Sequence, residues 1–300
     1  MAPRRIDTTV NRRTPIMDSP RSTKRERSHS PERDLLTPPN GIDDHVSKRM
    51  KLDIDNACDV LNHATRVLAI EAEALAAIRN LYQTDNSAQQ SLLDAVQAVL
   101  DCQEKRGKLV VTGVGKSAYI AQKFVATCKS LGVAASFMHA CEAVHGDLGD
   151  IREHDIVLFV SYSGKTPELL NLLPHIPAST RLMALSSHSH FTACPLLHSR
   201  ADSILLPTPI PEKEEISFSV SAPTTSTTVT LAVADMLALT IAEQLHQTHK
   251  KEVFARNHPG GAIGVAYREV VKVDVEVELK KAELEVLELP SPSISGSDDF

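Results

Sequence analysis

Apolar residues begin to recur at helical spacing from about Leu52. Val60, Leu61, Ala64, Val67, Leu68, Ile70, Leu75 and Ile78 form one such series, and Leu92, Leu93, Val96, Val99 and Leu100 a second. The spacing predicts two amphipathic helices, near 53–83 and 87–105. Short apolar runs suited to strands follow at Lys108–Val114, Ala134–His139, Asp155–Tyr162, Arg181–Ser187 and Ser203–Pro207. Helical patterns alternate with them over 116–131, 166–176, 190–198 and 223–247. Strand–helix–strand alternation at this spacing requires right-handed crossovers, hence an α/β fold with a parallel sheet covered on both faces.

Residues 1–51 show no such period and are rich in Pro, Ser, Arg and Asp, which reads as a disordered tail. Ser19-Pro20, Ser30-Pro31 and Thr37-Pro38 are candidate proline-directed phosphorylation sites. Lys48-Arg49-Met50-Lys51 reads as a charged linker or as a weak nuclear signal. Residues 271–300 are acidic and end in a Ser/Pro-rich tail, and Val271–Leu289 is compatible with strand or helix. One domain, 52–270, remains between the tails.

Composition sharpens this picture. Apolar residues make up 42% and aromatics only 4%, without Trp, so the core must be built of Ala, Val, Leu and Ile. The net charge of −6 conceals an asymmetry, because residues 1–51 hold 12 Lys or Arg against 7 Asp or Glu. That tail carries no aromatic residue for base stacking, so no nucleic-acid partner is expected. No run of 18 apolar residues predicts a membrane span, and no apolar signal core opens the chain. Cys58, Cys102, Cys128, Cys141 and Cys194 are scattered and odd in number, which suits reduced thiols and a cytoplasmic setting.

Ligands of an open parallel sheet bind beyond the carboxyl ends of its strands. Thr112-Gly113-Val114-Gly115-Lys116-Ser117 follows the first strand, and its glycines allow a sharp turn into a helix whose start attracts anions. It is not a nucleotide loop, since Val110 stands where that loop needs its first Gly. Ser161-Tyr162-Ser163-Gly164-Lys165-Thr166-Pro167-Glu168 follows the third strand. Its hydroxyls suit a phosphate cradle, and capping by Ser163 with Pro167 and Glu168 in the first turn is the simpler alternative. Ala222-Pro223-Thr224-Thr225-Ser226-Thr227-Thr228 opens a long apolar helix with far more hydroxyls than capping requires. The group His139, Cys141, His145 and Asp147 matches no zinc spacing, which favours structural or substrate-polarising roles over a metal.

Taken in order, TGVGKS, HACEAVHGDLG, SYSGKTPE, APTTSTTVTLAVADMLA and NHPGGAIG resemble the sugar isomerase (SIS) domain of bacterial arabinose-5-phosphate isomerases over about 55–268. The resemblance implies a three-layer sandwich with a five-stranded parallel sheet flanked by helices. It implies aldose–ketose isomerisation of a sugar phosphate through an enediol, with no cofactor, in a homodimer or homotetramer. It places the catalytic set on Lys116, Glu168, Glu215 and His258. Substrate contacts fall on Gly115, Ser117, Glu142, His145, Ser161, Ser163, Thr166, Thr224, Thr225, Ser226 and Thr227. A regulatory SIS module that binds a sugar phosphate without turning it over is the alternative.

Three departures bear on the choice of sugar. Tyr162 stands where family members often have Asn, and Pro211–Ser221 keeps Glu215 but little else of the usual pattern. The C-terminal CBS pair common in the bacterial enzymes is not expected after residue 270.

Overall fold

Strand β1 (Leu109–Gly113) is buried along its whole length, as its run of apolar residues requires of a central parallel strand. The structure, a computed structural model, describes residues 57–262 together with 264, 265, 267, 277, 280 and 281. The expected basic tail, its Ser/Thr-Pro pairs and residues 48–51 lie outside the described residues. So does the tail 271–300 except 277, 280 and 281, which are helical.

Among the described residues β1 pairs with β2 (Ala135–Phe137) on one side and β3 (Ile156–Val160) on the other. Next come β4 (Arg181–Ser186) and β5 (Ile204–Pro207), all parallel, in the order β2-β1-β3-β4-β5. Successive side chains point to opposite faces. Val111, Leu158, Leu185 and Leu206 therefore enter one core, and Val110, Val157, Phe159 and Leu205 the other.

The first core is closed by α1 (Ala57–Thr84), α2 (Asn86–Glu104), α3 (Lys116–Ser130) and α7 (Thr225–His246). Asp85 caps α2 by accepting a 2.7 Å hydrogen bond from the Ala88 N–H. The helical stretch Thr225–Asn257 is long and apolar enough to cross a membrane by length and composition. Its Val229, Val233, Leu237 and Ile241 are buried in the core, where α7 packs against α2 and α3. The second core is closed by α4 (Ala140–Ala143), α5 (Pro167–Leu170) and the 3-10 turns around 173–175 and 191–193. Helices α6 (Glu214–Phe218) and α8 (Lys250–Asn257) flank α7.

The helix expected over 190–198 does not form. Only Phe191–Ala193 makes a 3-10 turn, because Cys194 precedes Pro195 and is extended, with φ −90° and ψ 114°. The helix expected over 166–176 is cut to α5 and a 3-10 turn, since Pro174 has no N–H to continue it.

Candidate functional site

The strand order reverses direction between β1 and β3, the switch point at whose carboxyl ends sheets of this kind bind ligands. Lys116 stands at the first position of α3, immediately after Gly115. Gly115 has φ 60° and ψ −129°, a backbone region open to glycine alone, and no side chain among the described residues caps this helix end. Lys116 and Thr227 line one cleft of about 380 Å³ between α3 and α7. The packing of α3 on α7 brings these two residues together.

The turn after β3 is tightly organised. Ser161 is buried, and its Oγ lies 2.9 Å from Thr166 Oγ1. Ser163 Oγ accepts from the Lys165 N–H at 3.2 Å. Ser163 is thus a turn residue, not the cap of α5; the cap position is Thr166, three residues on, because Gly164 at φ 61° carries the chain round first. A Cβ at Gly164 would stand 2.9 Å from Cys194 Sγ and 3.1 Å from His188 Nε2.

Neighbouring strands brace this turn. The Tyr162 carbonyl accepts from Ser186 Oγ at 3.0 Å and from the Ser187 N–H at 2.9 Å, and His188 Nε2 lies 3.0 Å from the Ser163 carbonyl. Sequence reasoning passed over Ser186 and His188, which stand at the carboxyl end of a strand beside no recognisable motif. Burial pushes the Cys194 thiol below this turn above its ordinary pKa, against hydrogen bonds from Leu196, Leu197 and Ser186.

The start of α7 already holds a carboxylate. Glu214 Oε1 accepts from the Thr224 N–H at 2.6 Å, the Ser226 N–H at 3.0 Å and Ser226 Oγ at 2.9 Å. Thr224 Oγ1 lies 3.5 Å away. Thr227 and Thr230 instead return their hydroxyls to the helix, to the carbonyls of Thr224 and Ser226. Thr225 is buried, with no hydrogen-bond partner for its hydroxyl among the described residues. Half-buried Tyr162 links this end to the β3 turn. Its phenol pKa is raised by burial and by the nearby Glu214 charge, against a backbone hydrogen bond from Ile210.

The other expected site residues stand on separate elements. Glu168 and Glu215 are exposed at the starts of α5 and α6. Glu142 and His145 are exposed beyond β2, and Ser117 is half-buried in α3. His139 caps α4 by accepting from the Cys141 N–H, and among the described residues no three His, Cys, Asp or Glu side chains gather as a metal set. His258 lies at the opposite end of α3, where its Nε2 is 3.2 Å from Ser130 Oγ and its ring stacks on Phe254 at 4.0 Å. Its Nδ1 lies 2.8 Å from the Phe254 carbonyl.

A family model described as SIS domain matches residues 103–184. Arabinose 5-phosphate isomerase KdsD of Yersinia pestis is 38% identical over 213 residues, covering 71% of this chain and 60% of that protein. Arabinose 5-phosphate isomerase KpsF of Escherichia coli is 35% identical over 202 residues, 67% of this chain and 57% of that protein. The chain thus spans less than two thirds of the length of these curated relatives. The solved structure of an E. coli CFT073 protein in complex with arabinose 5-phosphate matches with a TM-score of 0.52 and 30% identity, covering 63% of this chain and 93% of that one.

Proposed function

The chain belongs to the SIS domain family, and on that basis we propose that it interconverts an aldose phosphate and a ketose phosphate. Arabinose 5-phosphate and ribulose 5-phosphate are the pair favoured by the names of its curated relatives and by the sugar-phosphate complex of the E. coli protein. The observation that carries the reading is the hydroxyl turn Ser161–Thr166 at the strand-order reversal, with Lys116 opening the helix on the other side of the same switch point.

In this reading the phosphate is held by Ser161, Ser163, Thr166 and the Ser/Thr run from Thr224. A base removes the C2 proton of the open-chain aldose, the electron pair forms the enediolate, and a proton returns to C1. Glu215 is the assigned base, and His258 the acid or ring-opening partner. Lys116 stabilises the developing oxyanion, and Glu168 orients the sugar hydroxyls or Lys116. His258 stands at the wrong end of α3 for its own site, which supports its delivery to a second copy's site across a two-fold interface.

NMR of the protein with ribulose 5-phosphate in deuterated water tests the reading. Turnover is expected as appearance of the aldose with deuterium incorporated at the exchanged carbon. Lys116→Ala, Glu215→Gln and His258→Ala should each cost about 10²–10⁴ in rate, the usual value of a positioned acid–base group. Glu168 and Glu215 stand exposed on separate helices, which favours a second reading, a module that only senses the sugar phosphate. Binding without turnover or deuterium exchange would decide for it.

A further inference from the structure

Glu214 sits where the proposed function puts an anion. Its carboxylate takes two N–H donors and the Ser226 hydroxyl from the first turn of α7, a helix of 22 residues. The aligned peptide dipoles of such a helix place roughly half a positive charge at this end. The donors offered here, backbone N–H groups and hydroxyls, are those a phosphate monoester uses. Thr225, in the same turn, keeps a hydroxyl without a partner among the described residues although it is only 2% exposed.

The element that carries Glu214 is short. Helix α6 has five residues and ends at Ser219, a non-glycine residue in the left-handed region at φ 57°. A non-glycine residue held there costs about 1–3 kcal/mol. Beside it lies a cavity of about 180 Å³ lined by Pro211, Glu212, Ser217 and Thr225. Adjacent Glu215 stands in the first turn of the same short helix, so a shift of the α6 backbone would carry Glu215 with Glu214.

We propose that Glu214 is a built-in occupant of the α7 end, displaced by the substrate's phosphate, and that it makes the site select dianionic phosphate esters over sugars bearing a carboxylate or no charge. The inference rests on the proposed phosphate site. A ligand carboxylate carries the same charge as Glu214 and gains nothing by replacing it. A dianion brings more acceptor oxygens and twice the charge to the same donors. Displacement releases α6, and with it Glu215, only when a phosphate has arrived.

Inorganic phosphate and acetate are the probes, titrated against the full chain by calorimetry and by amide NMR. An occupant lowers apparent affinity by the fraction of molecules whose helix end is free, so Glu214→Ala is expected to bind phosphate about tenfold tighter than wild type. Glu214→Gln keeps the shape without the charge and should shift affinity the same way by less. Acetate should bind Glu214→Ala detectably and wild type not. In wild type, phosphate should move the amide resonances of Thr224 and Ser226 as Glu214 leaves them. If those amides stay put while the amides of 161–166 move, the inference is overturned, whatever the variants do. Phosphate affinity unchanged or weaker in both variants, but abolished by Ser161→Ala, likewise overturns it and leaves the proposed function standing. Absence of phosphate binding in every form overturns both.

Discussion

Lys116 and His258 stand at opposite ends of one helix. Lys116 opens α3, and His258 Nε2 lies 3.2 Å from the hydroxyl of Ser130, which closes it. At 1.5 Å per residue the two ends are about 21 Å apart, too far for both side chains to meet one sugar.

If His258 serves a second copy, Glu215→Gln and His258→Ala chains complement each other. Half of randomly re-formed dimers are mixed, and each mixed dimer has one intact site, so about a quarter of wild-type activity is expected. The check is turnover after subunit exchange, with exchange itself followed by native mass spectrometry. No recovery despite exchange would place His258 outside the shared site.

Gly164→Ala is expected to damage the Ser161–Thr166 turn. Alanine at φ 61° is strained, and its Cβ meets Cys194 Sγ at 2.9 Å and His188 Nε2 at 3.1 Å. Backbone strain of this type costs about 1–3 kcal/mol. Thermal unfolding should show that loss, and phosphate titration should show weaker binding than in wild type. A variant with unchanged stability and phosphate affinity would show that the turn tolerates a different path.

Much of this architecture was legible in the sequence. The apolar runs located β1, β3 and β4 within two residues, because central parallel strands are buried on both faces and read as continuous hydrophobic segments. The false helix over 190–198 came from apolar spacing that ignored Pro195. The hydroxyl turn and the Thr-rich start of α7 were legible because their composition exceeds what capping needs. Glu214 was not, because the sequence shows only two adjacent glutamates, and the one that reaches α7 depends on how α6 turns between Pro211 and Ser219. The exact seat of His258 is set by α8 packing back on α3.

Asp150 gives a pH test of the sheet edge. Burial alone would raise its pKa, but the Ser136 hydroxyl bond at 2.7 Å and the Lys108 charge together hold it below the usual carboxylate value. A lowered folded pKa means that its stabilisation is complete above the unfolded value of about 3.9 and disappears as pH falls through the folded one. Asp150→Asn should therefore melt lower than wild type at pH 6–7 and converge with it near pH 2. The difference at neutral pH should not exceed about 1 kcal/mol, since the Asp150 side chain is 43% exposed. A gap that persists at pH 2 would mean that Asp150 acts through packing, not charge.

The five cysteines should divide by reactivity. Cys58 and Cys141 are exposed, whereas Cys102, Cys128 and Cys194 are buried and all five are free thiols. Burial, with the Asp155 charge second, pushes Cys102 up to about 11. Burial, with Asp235 second, pushes Cys128 up to about 12. The reactive species is the thiolate, so at pH 8 a thiol with a pKa near 11 is about a thousandth ionised, against roughly a quarter for a free cysteine. Iodoacetamide on the native protein should add two groups quickly, at Cys58 and Cys141, as read by peptide mass spectrometry. The other three should label only at the rate of unfolding, and denaturant should abolish the distinction. Labelling of Cys194 at the rate of Cys141 in native protein would mean that the turn above it opens without unfolding, and that the bracing of Gly164 by Cys194 and His188 is not maintained in solution.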